Sequence, residues 1–115
     1  MYQIIILPHF YKQIKSYIKK YRGLKNEVIN SLETFNKDTV DSLGGGVYKV
    51  RLKSKDLPKG KSKSFRIIIL LIEVEQFIVP ITIYFKGDKE FITKKEINNH
   101  LEKISFQLEV EELIK

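Results

Sequence analysis

The sequence predicts an α+β fold, an antiparallel sheet packed against an N-terminal helical hairpin plus a C-terminal helix, and three observations carry that prediction. Apolar residues recur at helical spacing between positions 10 and 35. The period then shortens to strand-like alternation between positions 47 and 86, and a capped helical stripe begins at position 93. The resulting order β, α, α, β, β, β, α fits a sheet with the helical hairpin behind it and the terminal helix alongside. The 115 residues are long enough for one core without disulfide or metal staples, so residues 1–115 are read as a single domain.

The elements follow in order. Tyr2 to Leu7 is a short isoleucine-rich run stopped by Pro8, the mark of a buried strand. Phe10, Ile14, Tyr17, Ile18 and Tyr21 then form one apolar stripe, with Lys12, Lys15, Lys19 and Lys20 on the wet side. Gly23 ends this helix, and Leu24, Val28, Ile29, Leu32 and Phe35 resume the spacing at once. So short a connection makes the two helices an antiparallel hairpin. Asn36 to Gly46 reads as a polar loop ending in three glycines. Three strands are predicted next, over Val47 to Lys53, Phe65 to Ile72 and Phe77 to Lys86. Pro80 cannot donate to a ladder, so the third strand is an edge there or carries a bulge. Thr93-Lys94-Lys95-Glu96 is a capping box, and Ile97, Leu101, Ile104 and Leu108 carry the helix it opens.

The sequence contains no cysteine, which excludes disulfide frameworks, thiol nucleophiles and thiolate metal sites and fits a reducing compartment. No segment reads as a signal peptide or membrane span: Ile4 to Leu7 and Ile67 to Ile72 are both too short. A cytoplasmic location is expected. Twenty-one Lys and Arg against fourteen Asp and Glu give a net charge of +7, which favours a polyanion or an acidic protein as partner.

That excess clusters between Lys49 and Arg66. Strand alternation puts Lys49, Arg51 and Lys53 on one face and Tyr48, Val50 and Leu52 on the other. A buried face has no use for three cations, so an anion is expected to meet them. The lysine-rich loop holding Lys59, Lys61 and Lys63 adds reach beside it. His9 and His100 lack a carboxylate or a second histidine at ligand spacing and are expected in solvent, and no metal or other cofactor is expected. Gly60-Lys61-Ser62 is not a phosphate-binding loop, since Lys55 stands where the first glycine belongs and a strand follows.

In sequence, Gly46-Val47-Tyr48-Lys49-Val50-Arg51, then Gly60-Lys61-Ser62-Lys63-Ser64-Phe65-Arg66-Ile67-Ile68, then the segment from Ile83 through Lys86 to Thr93 form an ordered set. This set resembles the RelE-type toxins of bacterial toxin–antitoxin modules, in particular their phage-like HigB branch. The resemblance implies a RelE-like fold and a metal-independent endonuclease that cuts messenger RNA on the ribosome and is neutralised by a cognate antitoxin. It implies a chemistry in which the ribose 2′-hydroxyl attacks the adjacent phosphate. The implied catalytic residues are Arg51, Lys61, Arg66 and Lys86, and the implied RNA-binding residues are Lys49, Lys53, Lys59, Lys63 and Tyr84. Two departures stand out: Ile69 occupies the place of a family tyrosine, and Lys63 and Ser64 replace a glycine pair. A non-catalytic relative, either a ParE-like gyrase poison or an RNA-binding module, is the alternative the sequence leaves open.

Overall fold

The computed structural model describes residues 2–52 and 64–114. Its elements are β1 (Gln3–Ile4), α1 (Pro8–Lys20), α2 (Leu24–Glu33), β2 (Asp41–Gly44), β3 (Val47–Leu52), β4 (Phe65–Ile72), β5 (Phe77–Phe85) and α3 (Lys94–Val110). The strands form one sheet in the order β1-β5-β4-β3-β2. The α+β class is as expected, with one refinement: β1 pairs with β5 in parallel, so the sheet is mixed. Only Gln3 and Ile4 of the expected Tyr2 to Leu7 strand are laddered. Pro8 opens α1 so soon afterwards that little strand can form.

β4 explains the layering. Its sequence Phe65-Arg66-Ile67-Ile68-Ile69-Leu70-Leu71-Ile72 is apolar in both parities, so both sheet faces must be covered. Phe65, Ile67, Ile69 and Leu71 pack with Phe10 and Ile14 of α1 and Leu24, Val28 and Leu32 of α2. Ile68 packs with Ile97, Ile104 and Leu108 of α3, joined by Val79 and Ile81. The terminal helix therefore covers the face opposite the helical hairpin instead of lying alongside it. Its start is the expected capping box: Thr93 Oγ1 accepts from the Glu96 amide at 3.1 Å, and the Thr93 amide donates to Glu96 Oε1 at 3.1 Å.

The expected polar loop hides a strand. Asp41 to Gly44 pairs antiparallel with β3, and Gly44, Gly45 and Gly46 turn the chain with φ of +89°, +63° and +82°. At Gly46 a side chain would also press on the Leu71 carbonyl, 3.0 Å from where its Cβ would stand. A bulge beside Pro80 is present. Ile68 pairs with Thr82 and Ile69 with Pro80, so Ile81 is the extra residue. The insertion shifts the parity of β5: Val79 before it, Ile81 at it and Tyr84 after it all join the core under α3.

Candidate functional site

The cationic face of β3 is open where α3 does not reach. Val47 belongs to the core under α3, and Lys49 and Arg51 follow on the same face of the strand. The register sets Arg51 directly opposite Arg66, and Arg66 directly opposite Tyr84, so one row crosses three strands. Arg66 is only 4% exposed and Tyr84 only 7%, whereas Arg51 at the neighbouring position is exposed. The Arg66 guanidinium donates through Nη1 to the Ser64 hydroxyl.

A cavity of about 360 Å³ opens on this row. Lys49, Arg51, Arg66, Tyr84 and Lys86 line it, with Asp41 and Glu90 among the remaining wall residues. Burial disfavours the charge on Arg66, and the Arg51 cation disfavours it further; Tyr84 and Asp41 act in the opposite direction. Like charges directly opposite across a ladder repel. An anion placed in the cavity would relieve that repulsion, and a guanidinium can grip such an anion through two parallel donors. Burial pushes the Tyr84 hydroxyl above its usual range, so it keeps its proton at neutral pH and can donate.

The structure therefore brings together Lys49, Arg51, Arg66, Lys86 and Tyr84 from among the residues singled out in the sequence. Lys53, Lys59, Lys61 and Lys63 lie outside the described residues. Ile69 is fully buried against the helical hairpin, on the face opposite Arg66, so a tyrosine there would not reach the cations. Sequence reasoning missed Asp41 and Glu90. Asp41 stands opposite Lys49 in the β2–β3 register, a relation invisible until β2 is known to exist.

A second cavity, of about 600 Å³, adjoins the first and shares Lys49 and Tyr84 with it. Its character differs. Leu43, Val47, Phe91, Ile92, Ile97 and Leu101 supply apolar walls, and Asn98 and Lys94 add polar groups from the start of α3.

The two histidines do not behave as expected. His9 is 6% exposed, and its Nε2 lies 2.7 Å from Nδ1 of His100, a hydrogen bond joining the start of α1 to the middle of α3. Gln107 accepts from the His9 amide at 3.0 Å beside it. The partners are 91 residues apart in sequence, so no local spacing could have paired them. Burial holds both imidazoles below the usual histidine range, and Lys103 acts in the same direction on each. Among the described residues, no three or more His, Cys, Asp or Glu side chains gather as a possible metal set, and no helix is long and apolar enough to cross a membrane.

Fold and site together define a small α+β protein with a cationic cavity on one face of its sheet. The family model described as the RelE toxin of the RelE/RelB toxin–antitoxin system matches residues 9–114, and the chain belongs to that family. It is thus a toxin of the toxin–antitoxin class, with an antitoxin as its partner. Among the solved structures that match is a mutant of the E. coli toxin RelE in the free state, at 17% identity and a TM-score of 0.48, covering 77% of this chain and 87% of that one. No curated protein matches the chain.

Proposed function

We propose that this toxin is a ribosome-associated endonuclease that cleaves messenger RNA, with the scissile phosphate held by the row Arg51, Arg66 and Tyr84. The observation that carries this reading is the buried arginine. Arg66 occupies a position on β4 where an apolar residue would pack better, next to a second arginine that repels it, and both line an open cavity. Such an arrangement costs stability and is suited to an oxyanion.

Cleavage by the neighbouring 2′-hydroxyl sets three tasks: removing the hydroxyl proton, stabilising the extra charge at phosphorus and protonating the leaving oxygen. Arg51 and Arg66 suit the second because each stays protonated and grips phosphate through two donors. Tyr84, still protonated at neutral pH, suits the third, with Lys86 beside it. Asp41 and Glu90 on the wall are the carboxyl side chains placed to serve the first. Lys49 and the basic segment with Lys53, Lys59, Lys61 and Lys63 would hold the flanking phosphates. The motif set between residues 44 and 96 favours the phage-like HigB branch, and a messenger RNA substrate implies a cytoplasmic site of action.

Controlled expression in bacteria tests the reading. Growth arrest with fragmented messages, both abolished by Arg51→Ala or Arg66→Ala, is expected. Arrest with intact messages and damaged DNA would overturn it in favour of a gyrase poison.

A further inference from the structure

Ser64 stands two residues ahead of Arg66, just before β4 begins, so strand alternation puts both side chains on one face. It is only 1% exposed, and its polar groups are tied to two residues of the phosphate cavity. The Ser64 hydroxyl accepts from Nη1 of Arg66, and the Ser64 carbonyl accepts from the Lys86 amide at 3.0 Å. Arg66 and Lys86 both line the cavity, whereas Ser64 lies behind its wall. Ser64 is also one of the two residues that replace the glycine pair of the RelE-type pattern, and glycine has a carbonyl to offer but no hydroxyl.

The contact answers a problem set by the row itself. Arg51 stands directly opposite Arg66 and repels it, so a long side chain with many rotamers is pushed away from its neighbour without being told where to go. A buried hydroxyl on the same face gives the guanidinium one place. The acceptor is neutral, which preserves the charge: a carboxylate there would hold the guanidinium more firmly but would compete with a phosphate for it. Among the described residues the ion pairs are Lys37–Glu73 and Lys89–Glu96, and Arg66 belongs to neither. A guanidinium carries several N–H donors, so one bond to a hydroxyl orients the group without exhausting it.

We propose that Ser64 is a positioning residue, whose hydroxyl holds the Arg66 guanidinium in the orientation that meets the scissile phosphate. The inference rests on the phosphate reading above and adds the group that preorganises its central arginine. Donors fixed before the reaction need no reordering as charge develops on the phosphate, so the hydroxyl acts on the rate of the chemical step and not on the hold on the ribosome.

The test is single-turnover cleavage of a message on programmed ribosomes, with toxin in excess and its concentration varied. The forms compared are the parent, Ser64→Ala, Ser64→Thr, Arg66→Ala and the variant carrying both alanines. Alanine at position 64 removes the hydroxyl and keeps the carbonyl that meets Lys86, so any effect belongs to the hydroxyl. Ser64→Ala is expected to lower the saturating rate by about tenfold, the size of one hydrogen bond to a charged group, while the concentration for half-saturation stays within about twofold. Ser64→Thr, which keeps the acceptor, is expected to restore most of the rate. In the Arg66→Ala background Ser64→Ala is expected to cause no further loss, because the group it positions is gone.

Cleavage by Ser64→Ala at the parent rate, with Arg66→Ala inactive, would overturn the positioning role and leave the phosphate site standing. A loss on Ser64→Ala that is just as large in the Arg66→Ala background, or that follows a fall in the urea midpoint and vanishes on cooling, would overturn it by making Ser64 a purely structural residue. Failure of the parent itself to cut messages would overturn the positioning role and the endonuclease reading together.

Discussion

Replacing Arg66 with leucine should make the protein more stable and less active at the same time. The side chain is 4% exposed and stands opposite Arg51 on a strand that is otherwise apolar. Removing one cation from a directly opposed like-charge pair recovers about 0.2–1 kcal/mol, and burying leucine in its place adds roughly 1.5–3 kcal/mol at most. Against that, the Ser64 hydroxyl loses the guanidinium that donates to it, a cost of about 1 kcal/mol, and leucine fills less of the space. The balance is a gain of roughly 1 kcal/mol, readable as a shift in the urea midpoint at unchanged slope. In a reconstituted translation mixture the same variant should lose about 2.7–4 kcal/mol of transition-state stabilisation, a hundredfold to a thousandfold drop in message cleavage. Arg66→Lys should recover little of it, because an ammonium cannot reproduce the planar fork. A leucine variant that unfolds more easily, or that cuts within tenfold of the parent rate, would refute the reasoning.

Other expectations follow from neighbouring features. Tyr84→Phe should slow cleavage by about a hundredfold, the low end for a lost proton donor, while leaving affinity for an uncleavable oligonucleotide unchanged; equal cleavage by both forms would remove the hydroxyl from the chemistry. The His9–His100 pair should make stability pH-dependent. Both imidazoles titrate below the ordinary value near 6.5, so their contribution is full above that pH and is lost as pH falls through it toward the lower folded-state values. Urea midpoints measured from pH 8 down to pH 5 should show that loss, and His9→Phe should flatten it. Gly46→Ala should cost about 1–2 kcal/mol, because φ is +82° and the Leu71 carbonyl stands in the way of a side chain; a urea midpoint equal to that of the parent would count against the turn geometry.

Much of the fold was legible because its signals are local. The alternation in Val47 to Leu52 set Lys49 and Arg51 against Val50 and Leu52, and the structure keeps that division. The Thr93 to Glu96 box marked the start of α3 to the residue, since its hydrogen bonds close within four positions. What was missed depends on pairing between distant segments. The position of α3 on the far face follows from β4 being apolar on both sides, a pattern that demands two covers without saying which helix supplies each. Asp41 stayed hidden because a short, exposed strand of mixed polarity looks like a loop until its partner is known. Tyr84 shares the site face only because of the bulge at Ile81, of which Pro80 was the single local trace. The histidine pair left no trace at all, being a contact between two helices from opposite ends of the chain.

The most direct measurement is the chemistry of the RNA ends made when the toxin is induced in growing bacteria. Attack by the 2′-hydroxyl on a phosphate held between Arg51 and Arg66 leaves a 2′,3′-cyclic phosphate upstream and a free 5′-hydroxyl downstream, and end-specific ligation across the transcriptome distinguishes these from hydrolytic ends. New 5′-hydroxyl ends inside translated regions, absent when Arg66 is replaced by alanine, are the expected result. Messages that remain intact during growth arrest, or cuts that carry 5′-phosphates and persist in Arg66→Ala, would contradict it.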